Sequence, residues 1–240
     1  MKKIFLLLVL APLVSNAQLK DLIKKAEDQI STITKKNGGL DIAGGLKEAL
    51  NKGIKEQVTK LTATDGFYKN EAVKILLPEE LQKVDKALRK MGMSKLADDG
   101  IRALNRAAED AVKESTPIFV DAVKNITITD AKSILLGKED AATTYLQTST
   151  RNPLYDKFNP VVKQSIGKVG ADVIWSSMIK KYNTLPWTDK INPDINDYVT
   201  NKALDGVFKM ISVEEKNIRT NLNSRTSDLL KKVFALQDKK

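Results

Sequence analysis

The sequence predicts an all-α protein, a single multi-helix domain with one short extended arm near 67–77. Three observations lead there. Apolar residues recur at spacings of three and four in segment after segment, which stacks them on one face of a helix. Only around Val73, Ile75 and Leu77, with Lys74 and Leu76 between them, does the pattern turn to the alternation of extended chain. And 42% of the residues are hydrophobic while cysteine is absent, so a packed core rather than disulfides must hold the chain.

The elements follow in order. Lys2 and Lys3, an apolar run from Ile4 to Val14 interrupted only by Pro12, and Ser15-Asn16-Ala17 have the form of a secretory signal peptide spanning 1–17. The run is shorter than the roughly 20 apolar residues that span a bilayer, so cleavage after Ala17 is expected. No later segment is apolar enough to span, and a soluble periplasmic or extracellular protein is expected. Residues 18–39 form an amphipathic helix, through Leu19, Leu22, Ile23, Ala26, Ile30 and Ile33, and an Asn37-Gly38-Gly39 linker. The helical domain occupies 40–240.

Its first helix carries Ile42, Leu46, Ala49, Leu50, Ile54, Val58 and Leu61, with Gly44 and Gly45 weakening its start. Asp65-Gly66 then marks a turn, and Leu77 before Pro78 favours extended backbone. Pro78 opens a helix that runs to Met91 and stops at Gly92. After the Ser94 cap, Ile101, Leu104, Ala107, Ala108, Ala111 and Val112 share one arc. Asn105 sits on the edge of that arc and needs a buried partner, whereas Arg106 faces water or a covering element. Helices follow at Pro117–Val123, in "TITDAKSILLG", in "KEDAATTYLQTS", around 153–167 and around 170–182. Trp187 stands in the irregular stretch "NTLPWTDKINPDIND", and the last two helices run about 194–220 and 224–237. Asp130, Glu139, Asp140 and Thr143 gather where helices start; capping explains them better than a bound cation.

Histidine is absent, as is cysteine. This removes Ser-His-Asp and Cys-His nucleophile systems and every metal site built on those ligands. With no Asp-rich calcium loop either, no metal and no cofactor are expected. The net charge of +10, or +8 without Lys2 and Lys3, is spread along the chain. It favours anionic partners such as an envelope lipid or polymer, or another envelope protein, although a solvated surface is the plainer reading. Nucleic acid is not expected, because no aromatic residues interleave with the basic ones for stacking.

Several segments carry a resemblance: "DGFYKNEAVKILLPEEL", "NRAAEDAV", "ILLGKEDAATTYL", "YVTNKALDGVF" and "EEKNIRTN" followed by "RTSDLLKKVF". In order and spacing, over roughly 45 to 237, the chain resembles a bacterial exported family catalogued as domain of unknown function number 4197. The resemblance implies a mostly helical, exported bacterial protein and implies no reaction. Leu222 departs from the proline expected after Asn221.

The long helix near the end poses the sharpest question. On a wheel, Val199, Ala203, Val207, Met210, Ile211 and Ile218 form an apolar arc, and Glu214 falls near its middle. Such a carboxylate must be paired, hydrogen-bonded or protonated. "SVEE" can also be a capping box that kinks the helix at Ser212, and Arg106, Arg219 or Arg225 can pair with Glu214 across a whole helix. The leading expectation is an exported, non-enzymatic binding or interaction protein. Its ligand-binding candidates are Asn105, Arg106, Glu214, Arg219, Arg225 and Trp187. The alternative is a single-carboxylate enzyme acting on cell-wall glycan with Glu214 as general acid; a structural or assembly protein is a third reading.

Overall fold

The computed structural model describes residues 41–78, 94–168 and 194–238, with isolated positions between 82 and 92 and between 172 and 190. Seven α-helices have described bounds: α1 Ile42–Thr62, α2 Ser94–Val112, α3 Ser115–Lys124, α4 Ile128–Leu135, α5 Ala141–Gly167, α6 Ile195–Thr220 and α7 Asp228–Phe234. A 3₁₀ turn, Leu222–Ser224, joins α6 to α7. No strand occurs among the described residues, so the protein is all-α. The signal peptide, the 19–36 helix and Trp187 lie outside the described residues, as do most of the helices expected at 78–91 and 170–182.

The helix starts obey local chemistry. The Asp41 side chain accepts from the Gly44 amide at the start of α1, and Thr127 with Asp130 forms a complete capping box on α4. Hydrogen bonds from the Thr127 hydroxyl and amide hold the Asp130 carboxyl below its ordinary range. Asp194 caps α6 through the amides of Asn196 and Asp197, and Ser227 caps α7. These side chains satisfy amides that a helix leaves unpaired.

One core runs through all seven helices. α5 lies against α6, α2 and α3, while α1 packs on α6, α3, α4 and α7. The paired glycines of α1 allow part of this contact: a Cβ on Gly45 would run into the Val233 side chain of α7.

Two expected boundaries are corrected. The segments 141–149 and 153–167 are one helix, α5, with Pro153 and Pro160 inside it. Each proline lacks an amide and leaves a carbonyl one turn back without its helical donor. Both prolines are exposed, so the carbonyls they leave free lie on the solvent side of the helix. Meanwhile Ala142, Leu146, Thr150, Leu154, Phe158, Val162 and Ile166 form an uninterrupted buried row. A row at spacing four drifts about 40° per step around a helix of 3.6 residues per turn. Its burial therefore moves from one neighbour to another along α5.

The arm is also shorter than expected. Turns occupy 64–69 and 71–73, which leaves 74–78 as the stretch that is neither helix nor turn. The reversal rests on Asp65, whose φ of 66° is left-handed, a conformation aspartate tolerates better than most residues. Phe67 then inserts fully buried against α6, where Gly206 makes room: a Cβ there would fall 2.7 Å from the Phe67 ring.

Candidate functional site

α6 is unbroken through Ser212, so "SVEE" is helix interior and no kink forms there. Its buried carboxylate is Glu215, 7% exposed, one residue beyond the position the wheel singles out. Glu215 lies on the row Ile195, Val199, Ala203, Val207, Ile211, which continues to Arg219. Oε1 accepts from the Ala142 amide (2.9 Å) and Oε2 from the Thr143 amide (2.8 Å) and hydroxyl (2.8 Å). The carboxylate thus caps α5, where the helix dipole favours an anion. Asp140, at the N-cap position, supplies no side-chain bond there.

Arg219 completes the arrangement from the other sign. Its Nε donates to Glu215 Oε1 (2.9 Å) and its Nη2 lies 2.8 Å from the same oxygen. The remaining donors reach the Ile134 carbonyl (2.8 Å), the Leu135 carbonyl (3.0 Å) and Gln237 Oε1 (2.8 Å). A guanidinium therefore closes the carboxyl end of α4 while a carboxylate one turn away closes the amino end of α5. Arg225 repeats the device on α6 itself, donating to the carbonyls of Ile218 and Arg219. It also grips both carboxylate oxygens of Asp238, and that hydrogen bonding keeps the Asp238 carboxyl below its ordinary range.

Glu214 is half-buried against α1. It accepts a hydrogen bond from Gln57 Nε2 (2.9 Å), and its Cγ faces Gly53. The space beside Glu214 and Glu215, walled by Leu50, Ile54, Ile211 and Phe234, is about 20 Å³, room for one water molecule.

A second cluster fixes the arm to α2. Asn105, fully buried, donates to the Ile75 carbonyl (2.8 Å) and accepts from the Ile75 amide (2.8 Å), as a neighbouring strand would. Arg106 bridges Asp65 (2.6 Å) and Glu109 (2.6 Å). Glu109, buried, accepts from the Phe67 amide (3.1 Å). A covering element thus lies over Arg106, and Asn105 has its buried partner.

Between the arm and α6 lies an open groove of about 470 Å³, lined by Val73, Ile75, Leu76, Tyr198, Gly206 and the cations Lys74, Lys202 and Lys209. The Tyr198 hydroxyl donates to the Leu76 carbonyl (2.8 Å) and spans one end.

The structure therefore separates the candidates named from sequence. Arg219 and Arg225 belong to one network at the end of α6, Asn105 and Arg106 to another on α2, and Glu214 to neither. Glu109 and Glu215 were missed. Their signal was spacing: Glu215 continues a row at intervals of four, with an arginine one turn on.

By fold, the chain is an all-α protein whose buried charges cap helix ends. It belongs to the family described as "Protein of unknown function (DUF4197)", which it matches over residues 19–235. No curated protein and no solved structure matches it. Among the described residues, no helix is long and apolar enough to cross a membrane.

Proposed function

We propose that this is an exported, non-enzymatic protein of the bacterial envelope that binds an anionic surface. The observation that carries the reading is how the charges are divided. The buried ones are committed to the fold: Glu215 accepts four hydrogen bonds on two oxygens and makes a further ion-pair contact with Arg219, and Arg219 and Arg225 spend their donors on helix ends and neighbouring side chains. A carboxylate has about four lone-pair sites, so Glu215 keeps none for a substrate. Lys202, Lys209 and Lys216, by contrast, recur at intervals of seven along the solvent side of α6. Lys216 pairs with Glu139, but Lys202 and Lys209 meet no carboxylate among the described residues. Together with the net charge of +8 that remains without Lys2 and Lys3, this favours long-range attraction to anions.

The competing reading gives Glu214 a general-acid role on cell-wall glycan. A sugar ring needs far more room than the one-water space beside that carboxylate.

The test is flotation of the purified chain, from Gln18 onward, with vesicles of phosphatidylcholine alone or with about a third phosphatidylglycerol. Binding to the anionic vesicles that falls steeply as salt rises is expected. Equal binding to both vesicle types, or to neither, overturns the reading. Release of glycan fragments from cell wall by wild type but not Glu214→Gln would establish the alternative.

A further inference from the structure

We infer that the mouth of the groove between the arm and α6 is the membrane-docking site, with Leu76 inserting among the acyl chains of an anionic phospholipid surface while Lys202 and Lys209 meet the phosphates. The inference rests on the proposed binding to an anionic surface and adds the place and the lipid.

The groove has the composition this role needs. Val73, Ile75 and Gly206 are buried and form an apolar floor. Leu76 is 50% exposed, although it lies on extended chain that nothing prevents from placing a polar residue there. Its side chain points away from the core because Asn105 holds both backbone groups of Ile75 and the Tyr198 hydroxyl holds the Leu76 carbonyl. The backbone that carries this exposed leucine is thereby fixed, so only the side chain's own rotamers need ordering when it meets a partner.

The charges around it are asymmetric. Lys74 lies 4.9 Å from the Tyr68 ring centroid and Lys202 lies 5.8 Å from that of Tyr198. Each ammonium is thus held over an aromatic face; Lys74 also pairs with Glu71 (3.7 Å), whereas Lys202 meets no carboxylate among the described residues. Asp205, the one carboxylate lining the groove, is already bridged to Arg151 (2.9 Å). Lys202 and Lys209 therefore face the opening as unpaired cations among the described residues, beside the Glu71-paired Lys74 and an Asp205 that Arg151 already neutralises. Lysine stems run along apolar surface with the charge in the headgroup layer, and tyrosine suits the same layer. A soluble polyanion would use the lysines but would gain nothing from Leu76, which favours a lipid surface as the occupant.

The test compares three variants in the flotation assay, each checked for helicity by circular dichroism. Each cation close to an anionic surface contributes about fivefold in affinity. Lys202→Glu/Lys209→Glu should weaken binding by more than about tenfold. Leu76→Ser should weaken it severalfold and leave the salt dependence in place. Lys231→Glu/Lys232→Glu on α7 makes the same change in net charge at residues that do not line the groove, and should cost little. If both lysine pairs weaken binding equally, or if the groove variants bind like wild type, the groove is not the site although the binding stands. If wild type itself fails to bind anionic vesicles, the underlying reading fails with it. Competition by soluble polyphosphate that leaves the Leu76→Ser variant unaffected relative to wild type would give the groove to a free polyanion instead.

Discussion

Glu215 and Arg219 sit one turn apart on α6 and face opposite helix ends, the carboxylate on the amino end of α5 and the guanidinium on the carboxyl end of α4. Each charge meets the end of a helix dipole that favours it, and the two are hydrogen-bonded to each other. The pair is therefore a joint between three helices.

Removing one member leaves the other buried without its partner. Arg219→Met and Glu215→Gln should each destabilise the protein by about 3–5 kcal/mol in chemical denaturation. The double variant should cost much less than the two single costs added together. Glu214→Gln, which keeps a hydrogen-bonding amide beside Gln57, should change stability by less than about 1 kcal/mol. A larger effect at 214 than at 215 would reverse the assignment.

Asn105 is the arm's only side-chain partner on both backbone groups of Ile75 among the described residues. Asn105→Ala should cost about 2–3 kcal/mol by leaving these groups unpaired. The Ile75 amide should then exchange with solvent far faster, while amides in the middle of α5 hold their protection at matched stability.

Tyr155 donates to Asp197 Oδ1 (2.6 Å), and that bond raises its phenol to about 12. A raised pKa means the fold favours the protonated form. The contribution is complete below the unfolded pKa of about 10 and is lost as pH rises through about 12. In an alkaline absorbance titration Tyr155 should ionise late, and Tyr155→Phe should remove that late step.

Asp238 behaves in the opposite sense. Its folded pKa is depressed by Arg225, so its contribution is present above the unfolded value near 3.8 and disappears as pH falls through the folded value. Wild type should be more stable than Asp238→Asn at neutral pH. The difference should close in acid, which denaturation curves at a series of pH values will show.

The helices and much of the buried surface were legible because burial followed the simple period of three and four. Asn105 was legible for a related reason: a polar residue at the edge of an apolar arc needs a partner. Glu215 was not, because a wheel averages one direction over a whole helix while the buried row of α6 turns steadily toward new neighbours. The same drift hid the unity of α5, whose two prolines look like breaks until their exposed positions are known. The groove depended on the arm crossing α6. Gly206, a glycine inside an apolar helical row, was the local sign of that close approach, but the lysines around it fall in two distant segments. No periodicity brings them together.

Because native cysteine is absent, single cysteines can report which surface meets the membrane. Single variants Leu76→Cys, Ile128→Cys and Leu222→Cys, all at exposed positions, would carry one environment-sensitive fluorophore each. On addition of phosphatidylglycerol-containing vesicles, the probe at position 76 should shift to the blue and brighten, with little change at 128 and 222. A shift at 128 or 222 with none at 76 would contradict docking through the groove.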